Sequence, residues 1–385
     1  MDAHAVFERV REISARFAKE RGERQLRRHL AAADFDQLRE AGFLLCAVPI
    51  DQGGTWQDIQ RSTRPVAEML RVLAQGDPSV ALVCSMHPAV LSFWLTTAQA
   101  KTPYEDAWAA QRREVFRTAV DGAWWGTITS EPGSGGDVLK TQTIARRDSN
   151  GKCRLTGVKH FGSGSGITSF MITSALPEEE AEPDWFYLDV RGAPWDGSTG
   201  MKLLAEWDGH GMAATQSHAF SFQGFPATRF AWPGHLRTII ERSSPFVACC
   251  FAAVIVGVVD VAVETARQQI GRCRDSLRPY EQVDWTKVEM EAWLIRQAYE
   301  GMLRAVESEE SPHKSVVSGK TAIAELAEVA LGRICRIAGG GTFSRQSPFG
   351  FWFEDVRALG FLRPPWGLAF DTLFALSGDE GKRTG

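Results

Sequence analysis

The residues of this chain that could do chemistry gather in two glycine-rich stretches. Residues 129–137 read Thr-Ser-Glu-Pro-Gly-Ser-Gly-Gly-Asp, shortly after an aromatic run of Trp124 and Trp125, and residues 159–166 read Lys-His-Phe-Gly-Ser-Gly-Ser-Gly. Glycine admits dihedrals closed to other residues and lets backbone approach a ligand closely, so each stretch leaves hydroxyls and N–H groups pointing outward. Either stretch alone reads equally as a surface turn of a β domain. Together, at the ends of strand-like runs, they suit a large planar cofactor with a phosphate tail. Residues 133–138 carry Gly-X-Gly-Gly with no following lysine and open no helix, which excludes a P-loop and argues against a dinucleotide fingerprint. His210 and His218 lie in β-like sequence with no third ligand nearby, so no metal is expected. Asp51, Asp77, Asp137 and Asp208 sit in turns and read as caps.

Three blocks must position these stretches. Residues 1–122 read as helices: Phe7, Val10, Ile13 and Phe17 recur at three and four, Asp34 precedes an apolar-periodic run as an N-cap would, a helix covers about Ser62 to Ala74, and Asp77-Pro78 opens an apolar helix from Ser79 to Ala98 that carries His87. Residues 123–232 alternate polar and apolar in short runs near 141, 153, 170, 185 and 218, separated by Gly, Asp, Asn and Pro clusters, the pattern of a small antiparallel β-barrel or sandwich. Residues 233–385 return to helix. Ser244-Pro245 begins a long apolar helix to about Cys273, further helices run from Trp285 to Val306 and from Ser315 to Ile337, and a last one from Gly360 to Ser377 is broken by Pro364-Pro365. The fold class is mostly α with a central β domain.

The chain has 385 residues, 44% hydrophobic and 23% charged, with a formal net charge of -4 and a pI near 6.1. That balance argues against a nucleic-acid partner, which needs a basic excess. The charged N-terminus carries no signal-peptide pattern, and no run reaches the roughly 18 apolar residues that span a bilayer, so no membrane partner is expected. Seven cysteines without a CxxC pair point to reduced thiols and a cytoplasmic protein.

With its three-block plan, the segment Ser130-Glu-Pro-Gly-Ser-Gly-Gly-Asp137 and the downstream 159–166 stretch, the chain resembles the acyl-CoA dehydrogenase superfamily of flavoproteins over nearly its whole length. The resemblance implies an N-terminal helical domain, a small β-barrel and a C-terminal four-helix bundle. It implies a flavin, FAD with FMN as the other choice, bound by Thr127, Thr129 and Ser130 along the ring edge, by Phe161 on its face and by Ser163 near N5. Gly339, Gly340 and Gly341 resemble the family's last-domain glycine turn, which meets the cofactor across a subunit interface; they read equally as a helix C-cap. The same likeness implies a homodimer or homotetramer.

The chain departs from the dehydrogenases where their base belongs. Proton abstraction beside a thioester needs a positioned carboxylate. At the family's spacing after Asp355 stands Arg363, the start of the long apolar helix carries no carboxylate, and Gly136 replaces the serine on the thioester side. Phe161-Gly-Ser-Gly-Ser and the segment from Trp207 to Ser217 resemble instead the family's two-component monooxygenases, which take reduced flavin from a separate reductase and oxygenate a small organic substrate with O2. This implies catalytic roles for His87 as acid or base, for Ser163, and for Arg363 on an anionic group or the flavin. His87 also reads as a satisfied core histidine and Arg363 as a solvated arginine. The alternatives are a dehydrogenase of an acyl thioester with a displaced base, Glu241 or Asp371, and a non-catalytic flavin-binding scaffold.

Overall fold

The computed structural model describes residues 2–97 and 103–379; Ala98, where the apolar helix was expected to end, and the outermost residues of the first and last blocks lie outside that range. The N-terminal layer holds α1 (Ala3–Lys19), α2 (Arg21–Arg24), α3 (Ala32–Glu40), α4 (Ile59–Gly76), α5 (Pro78–Leu95) and α6 (Glu105–Val120). α1 buries Val6, Val10, Ile13 and Phe17, the positions that helical periodicity brings to one face. Asp34 is not an N-cap. It lies inside α3, behind Ala31, because its carboxylate is claimed by a buried charge cluster. Arg24, with a side chain only 3% exposed, donates to Asp34 at 2.6 Å and to Asp77 at 2.8 Å, and its guanidinium rests 3.6 Å from the centre of the Phe17 ring. Asp77 in turn accepts the Val80 N–H at 3.0 Å and caps α5. One arginine thus fixes where α5 begins relative to α2 and α3.

The β domain holds β1 (Trp125–Thr127), β2 (Ile144–Arg147), β3 (Cys153–Gly162), β4 (Phe170–Pro177), β5 (Asp184–Asp189), β6 (Met201–Ala205) and β7 (His218–Arg229). The strand order is β1-β4-β2-β3-β7-β5, with β6 on β7 and β4 paired to β5, so the sheet closes into a barrel. Ile128, Leu155, Met171, Phe186, Leu188, Phe220 and Phe222 fill it. The expected barrel is present, but not all of it is antiparallel: β1 and β2 both run parallel to β4. The long excursions between these strands are the crossovers that parallel pairing requires.

The C-terminal block holds α7 (Leu236–Cys273), α8 (Pro279–Ser308), α9 (His313–Ala338), α10 (Pro348–Gly360) and α11 (Trp366–Asp379), and α7 to α10 pack together as a four-helix bundle. α7 starts ahead of the expected Ser244-Pro245. Pro245 lies within the helix, where it removes a donor from the Glu241 carbonyl, and the Ser244 hydroxyl reaches that same oxygen at 3.3 Å. The proline pair at 364–365 separates α10 from α11. Contrary to the sequence expectation, Pro78–Leu95 and Leu236–Arg272 are long and apolar enough to cross a membrane by length and composition; 94% and 89% of these windows are buried inside the protein. Arg64 of α4 bridges Glu300 at 2.8 Å and Glu307 at 2.6 Å on α8, tying the first block to the last.

Replacing Arg24 by Met leaves Asp34 and Asp77 buried without their common partner, and is expected to cost about 3–5 kcal/mol in a denaturant titration. A cost near that of an exposed ion pair would show that the cluster does not organise this layer.

Candidate active site

A cavity of about 820 Å³ opens where α5, the end of β1, the end of β3, α7 and the α10–α11 turn meet. Alternation along the chain builds its first wall. Ile128 points into the barrel core, so Thr127 and Thr129 point the other way. The Thr127 hydroxyl reaches the Met86 sulfur of α5 at 3.7 Å, and the Thr129 hydroxyl accepts from Arg363 at 3.0 Å. Ser130 follows in a bridge with His160, whose N–H donates to the Ser130 carbonyl at 2.8 Å, so the two glycine-rich stretches lie side by side. The Ser130 hydroxyl has no partner among the described residues. Beyond it Gly133 and Gly135 adopt φ of 77° and 61°, and a Cβ on either would meet nothing within 4 Å. The turn is an open backbone cradle.

Glu131 lines the cavity and is held by a lysine and several donors. It pairs with buried Lys159 at 2.5 Å, accepts the Gln142 N–H at 2.6 Å and the Thr143 hydroxyl at 2.8 Å, and is also bonded by the Thr141 hydroxyl. Burial pulls the Lys159 ammonium down to about 8, with Glu131 opposing that shift. Burial alone would raise the Glu131 carboxyl, but Lys159 and the surrounding donors bring it below its ordinary value, so it stays ionised.

The second wall is a chain of hydroxyls. Thr215 donates to the Met212 carbonyl at 2.8 Å, Ser217 lies 2.7 Å from Thr215, and Ser163 lies 2.8 Å from Ser217. Because a carbonyl only accepts, Thr215 spends its proton on Met212; Ser217 then donates to Thr215, and Ser163 to Ser217. Ser163 therefore presents lone pairs to the cavity. Met212 is held at φ 51°, its N–H donates to Asp355 of α10 at 2.7 Å, and its carbonyl also takes the Trp207 indole N–H at 2.9 Å. Gly211 permits this docking, since a Cβ there would lie 2.1 Å from the Glu354 carbonyl. Burial raises the Asp355 carboxyl to about 7. Phe161, at φ 57°, stands 53% exposed at the cavity edge with its ring 5.9 Å from that of Trp207.

Arg363 enters from the α10–α11 turn. Lys320 of α9 holds the backbone on both sides of it, donating to the carbonyls of Gly360 at 2.7 Å and Pro364 at 3.0 Å. Burial lowers Lys320 to about 7 and Arg363 to about 10.

Thr127, Thr129, Ser130, Phe161, Ser163 and Arg363 thus meet at one cavity. His87 does not join them. Its Nδ1 accepts the Trp125 N–H at 3.1 Å and its Nε2 donates to the Leu44 carbonyl at 3.0 Å, so both ring nitrogens are committed to the packing of α5 against β1. Burial depresses it to about 4 and keeps it neutral. The expected acid or base is a core histidine. Gly339, Gly340 and Gly341 also lie away from the cavity, at the C-terminus of α9, where Gly339 takes φ 77° and closes the helix. Glu241 is part of α7 and Asp371 of α11; neither side chain lines the cavity. The hydroxyl relay and the support from Lys320 escaped the sequence reading, although Lys320 shares a helix face with Val316, Val317, Ile323 and Ala324, which is a signal for the latter.

Residues 126–225 match the family described as acyl-CoA dehydrogenase, middle domain. In its three layers, the fold is that of the acyl-CoA dehydrogenase superfamily. Among solved structures, KijD3 in complex with FMN and a dTDP-linked amino-keto sugar superposes with a TM-score of 0.80 at 19% identity, over 97% of this chain and 93% of that one. A Pseudomonas putida protein named "Probable FMNH2-dependent monooxygenase SfnC" is 28% identical over 267 residues, which is 67% of this chain and 60% of the relative. The dibenzothiophene monooxygenase of Mycolicibacterium goodii is 25% identical over 280 residues, 69% of this chain and 62% of the relative. The matched stretch therefore spans less than two thirds of either relative. Both of these relatives are named monooxygenases, one of them FMNH2-dependent.

Replacing His87 by Ala strands the Trp125 N–H and the Leu44 carbonyl, and should cost about 3 kcal/mol. His87→Gln can keep both bonds and should retain flavin binding. The native pKa lies below the unfolded value near 6.5, so the unfolded chain takes up the proton first and stability from this group is lost as pH falls from about 6.5 towards 4. The Gln variant should lose that part of the acid sensitivity; an unchanged profile would exclude a buried neutral imidazole.

Proposed function

We propose that the protein is a flavin-dependent monooxygenase that uses reduced flavin, FMN rather than FAD, and O2 on a small organic substrate. The observation that carries this reading is the distribution of polar groups on the cavity wall. Donors and acceptors suited to a flavin are open, at Ser130, at the Gly133–Gly135 cradle and at Ser163, while Glu131, the one carboxylate lining the cavity among the described residues, is bound by Lys159 and its neighbours. Dehydrogenation beside a thioester needs a free base, and Glu241 and Asp371 lie elsewhere, so nothing favours the dehydrogenase alternative. The unspent hydroxyls likewise speak against a decayed scaffold.

The donor set fits the group. Thr127, Thr129 and Ser130 would line the ring edge, Phe161 would shield its face, and the lone pairs of Ser163 suit the N–H that reduced flavin carries at N5 and oxidised flavin lacks. When bound, reduced flavin supplies the electrons that activate O2. The protein's residues hold it, orient it through the Ser163–Ser217–Thr215 chain and exclude water with the apolar side chains of α5 and α7. The FMN in the KijD3 complex and the FMNH2 in the name of SfnC support the choice of cofactor, and a separate flavin reductase would provide it. The reading also puts the protein in the cytoplasm, where the buried thiols of Cys46, Cys84, Cys249 and Cys250 stay reduced. It makes the working form a homodimer or homotetramer, which would cover exposed Met290, Trp293 and Phe343 and let Gly339–Gly341 reach a neighbouring copy's cofactor.

Two measurements check this. Anaerobic titration should show reduced FMN binding more tightly than oxidised FMN, with Ser163→Ala and Ser217→Val each narrowing the ratio about tenfold, the worth of one hydrogen bond. With a flavin reductase and isotopically labelled O2, one oxygen atom should enter the product. Tight oxidised flavin that an acyl thioester bleaches without air would replace this reading with the dehydrogenase.

A further inference from the structure

Reduced flavin accounts for the wall of Ser130, Phe161 and Ser163 but leaves Arg363 without a counterpart. Of its five N–H donors one is committed, to the Thr129 hydroxyl at 3.0 Å. No carboxylate pairs with it among the described residues; Asp137 offers only a more distant attraction. The contrast with other half-buried or buried arginines is plain: Arg24 has Asp34 and Asp77, and Arg229 has Glu180 and Asp184. Behind Arg363, Lys320 adds a second basic group whose partners are carbonyls.

The cavity that Arg363 lines is largely apolar on its helical side, with Met86 and Val90 from α5, Val247 and Phe251 from α7, Leu362 from the α10–α11 turn and Trp366 from the start of α11. Arg363 meets the β-barrel side of the cavity through Thr129, whereas Ser163 and Ser217 flank the ends of β3 and β7 and bond to each other. A cation facing a low-dielectric space attracts an anion strongly, and the guanidinium fork matches two oxygens of one head group. We propose that Arg363 recognises the anionic head group of the substrate, and that the substrate is an organic anion: a carboxylate, sulfinate or sulfonate on a compact apolar body. The inference rests on the monooxygenase reading for the word substrate, and on the geometry alone for the ligand class. Thr129 fixes the direction of the guanidinium, and Lys320 fixes the backbone that carries it. At about 10 its pKa keeps Arg363 a cation at neutral pH.

The test is calorimetric binding of naphthoate and of its neutral isostere naphthamide to the full chain, under anaerobic conditions, with and without reduced FMN. The wild type should bind naphthoate at least about tenfold more tightly than the amide, as a charge-assisted bidentate pair would give. Arg363→Met should abolish the preference by weakening naphthoate only, Arg363→Lys should retain part of it, and the affinity for reduced FMN should not change. Equal affinities in the wild type, which require no variant to fold, would overturn the proposal. So would an Arg363→Met protein that keeps the preference and loses reduced FMN, since the arginine would then serve the cofactor. Binding needs no turnover, so a preference for the anion in a protein that oxygenates nothing sustains this inference while the monooxygenase reading fails. Oxygenation confined to neutral compounds does the reverse.

Discussion

The site depends on a buried ion pair at the edge of the cavity. Lys159 and Glu131 come from the two glycine-rich stretches, and their contact locks one against the other beside the His160–Ser130 bridge. An ammonium with no exposed side-chain surface is costly to desolvate unless every proton finds an acceptor. Here the Ser174 carbonyl at 2.7 Å and the Thr141 hydroxyl at 3.1 Å take what Glu131 leaves. Gly133 and Gly135 form an open cradle two residues beyond this anchored carboxylate. The local disorder that four nearby glycines and serines would invite is suppressed by one carboxylate with several donors.

That anchoring also decides the chemistry. A carboxylate beside a flavin-sized cavity would be an obvious base, but Lys159 and the surrounding donors hold Glu131 ionised and lower its affinity for a proton. Its neutralisation by Lys159 leaves the cation of Arg363 to bias the cavity, on a backbone that Lys320 holds. A fold does not fix a reaction; the side chains facing the cavity do, and here Arg363 stands where the dehydrogenase resemblance would place a carboxylate. The opposite wall is equally directional. The Met212 carbonyl, fixed by Asp355 on its N–H side, sets the orientation of three hydroxyls in turn, so a helix of the last domain determines which way Ser163 points its proton.

Much of this was legible in the residues. Periodicities of 3.6 and 2 separated the helical stretches from the strands between Trp125 and Arg229, and the glycine-rich stretches marked the cavity before any geometry was known. The likeness to flavoproteins of one superfamily, and the missing base at Arg363, already inclined the reading towards oxygenation. Local rules erred where a distant partner overrode them. Asp34 has the look of a cap but is drawn into a helix by Arg24, and Pro245 has the look of a helix start but is tolerated because Ser244 covers the freed carbonyl. Parallel pairing of β1 and β2 with β4 could not be inferred from alternation, which is the same for either direction.

The amino-acid order by itself determined the layers, the site's glycine-rich turns and the absence of a carboxylate at position 363, because composition and spacing act over a few residues and need no partner. Tertiary structure alone decided which polar groups are free. His87, Glu131 and Arg363 are all ionisable residues near one cavity; the first is spent on two backbone groups, the second on a lysine, and the third faces open space. Whether a side chain is spent depends on partners tens to hundreds of residues away, and no local pattern records them.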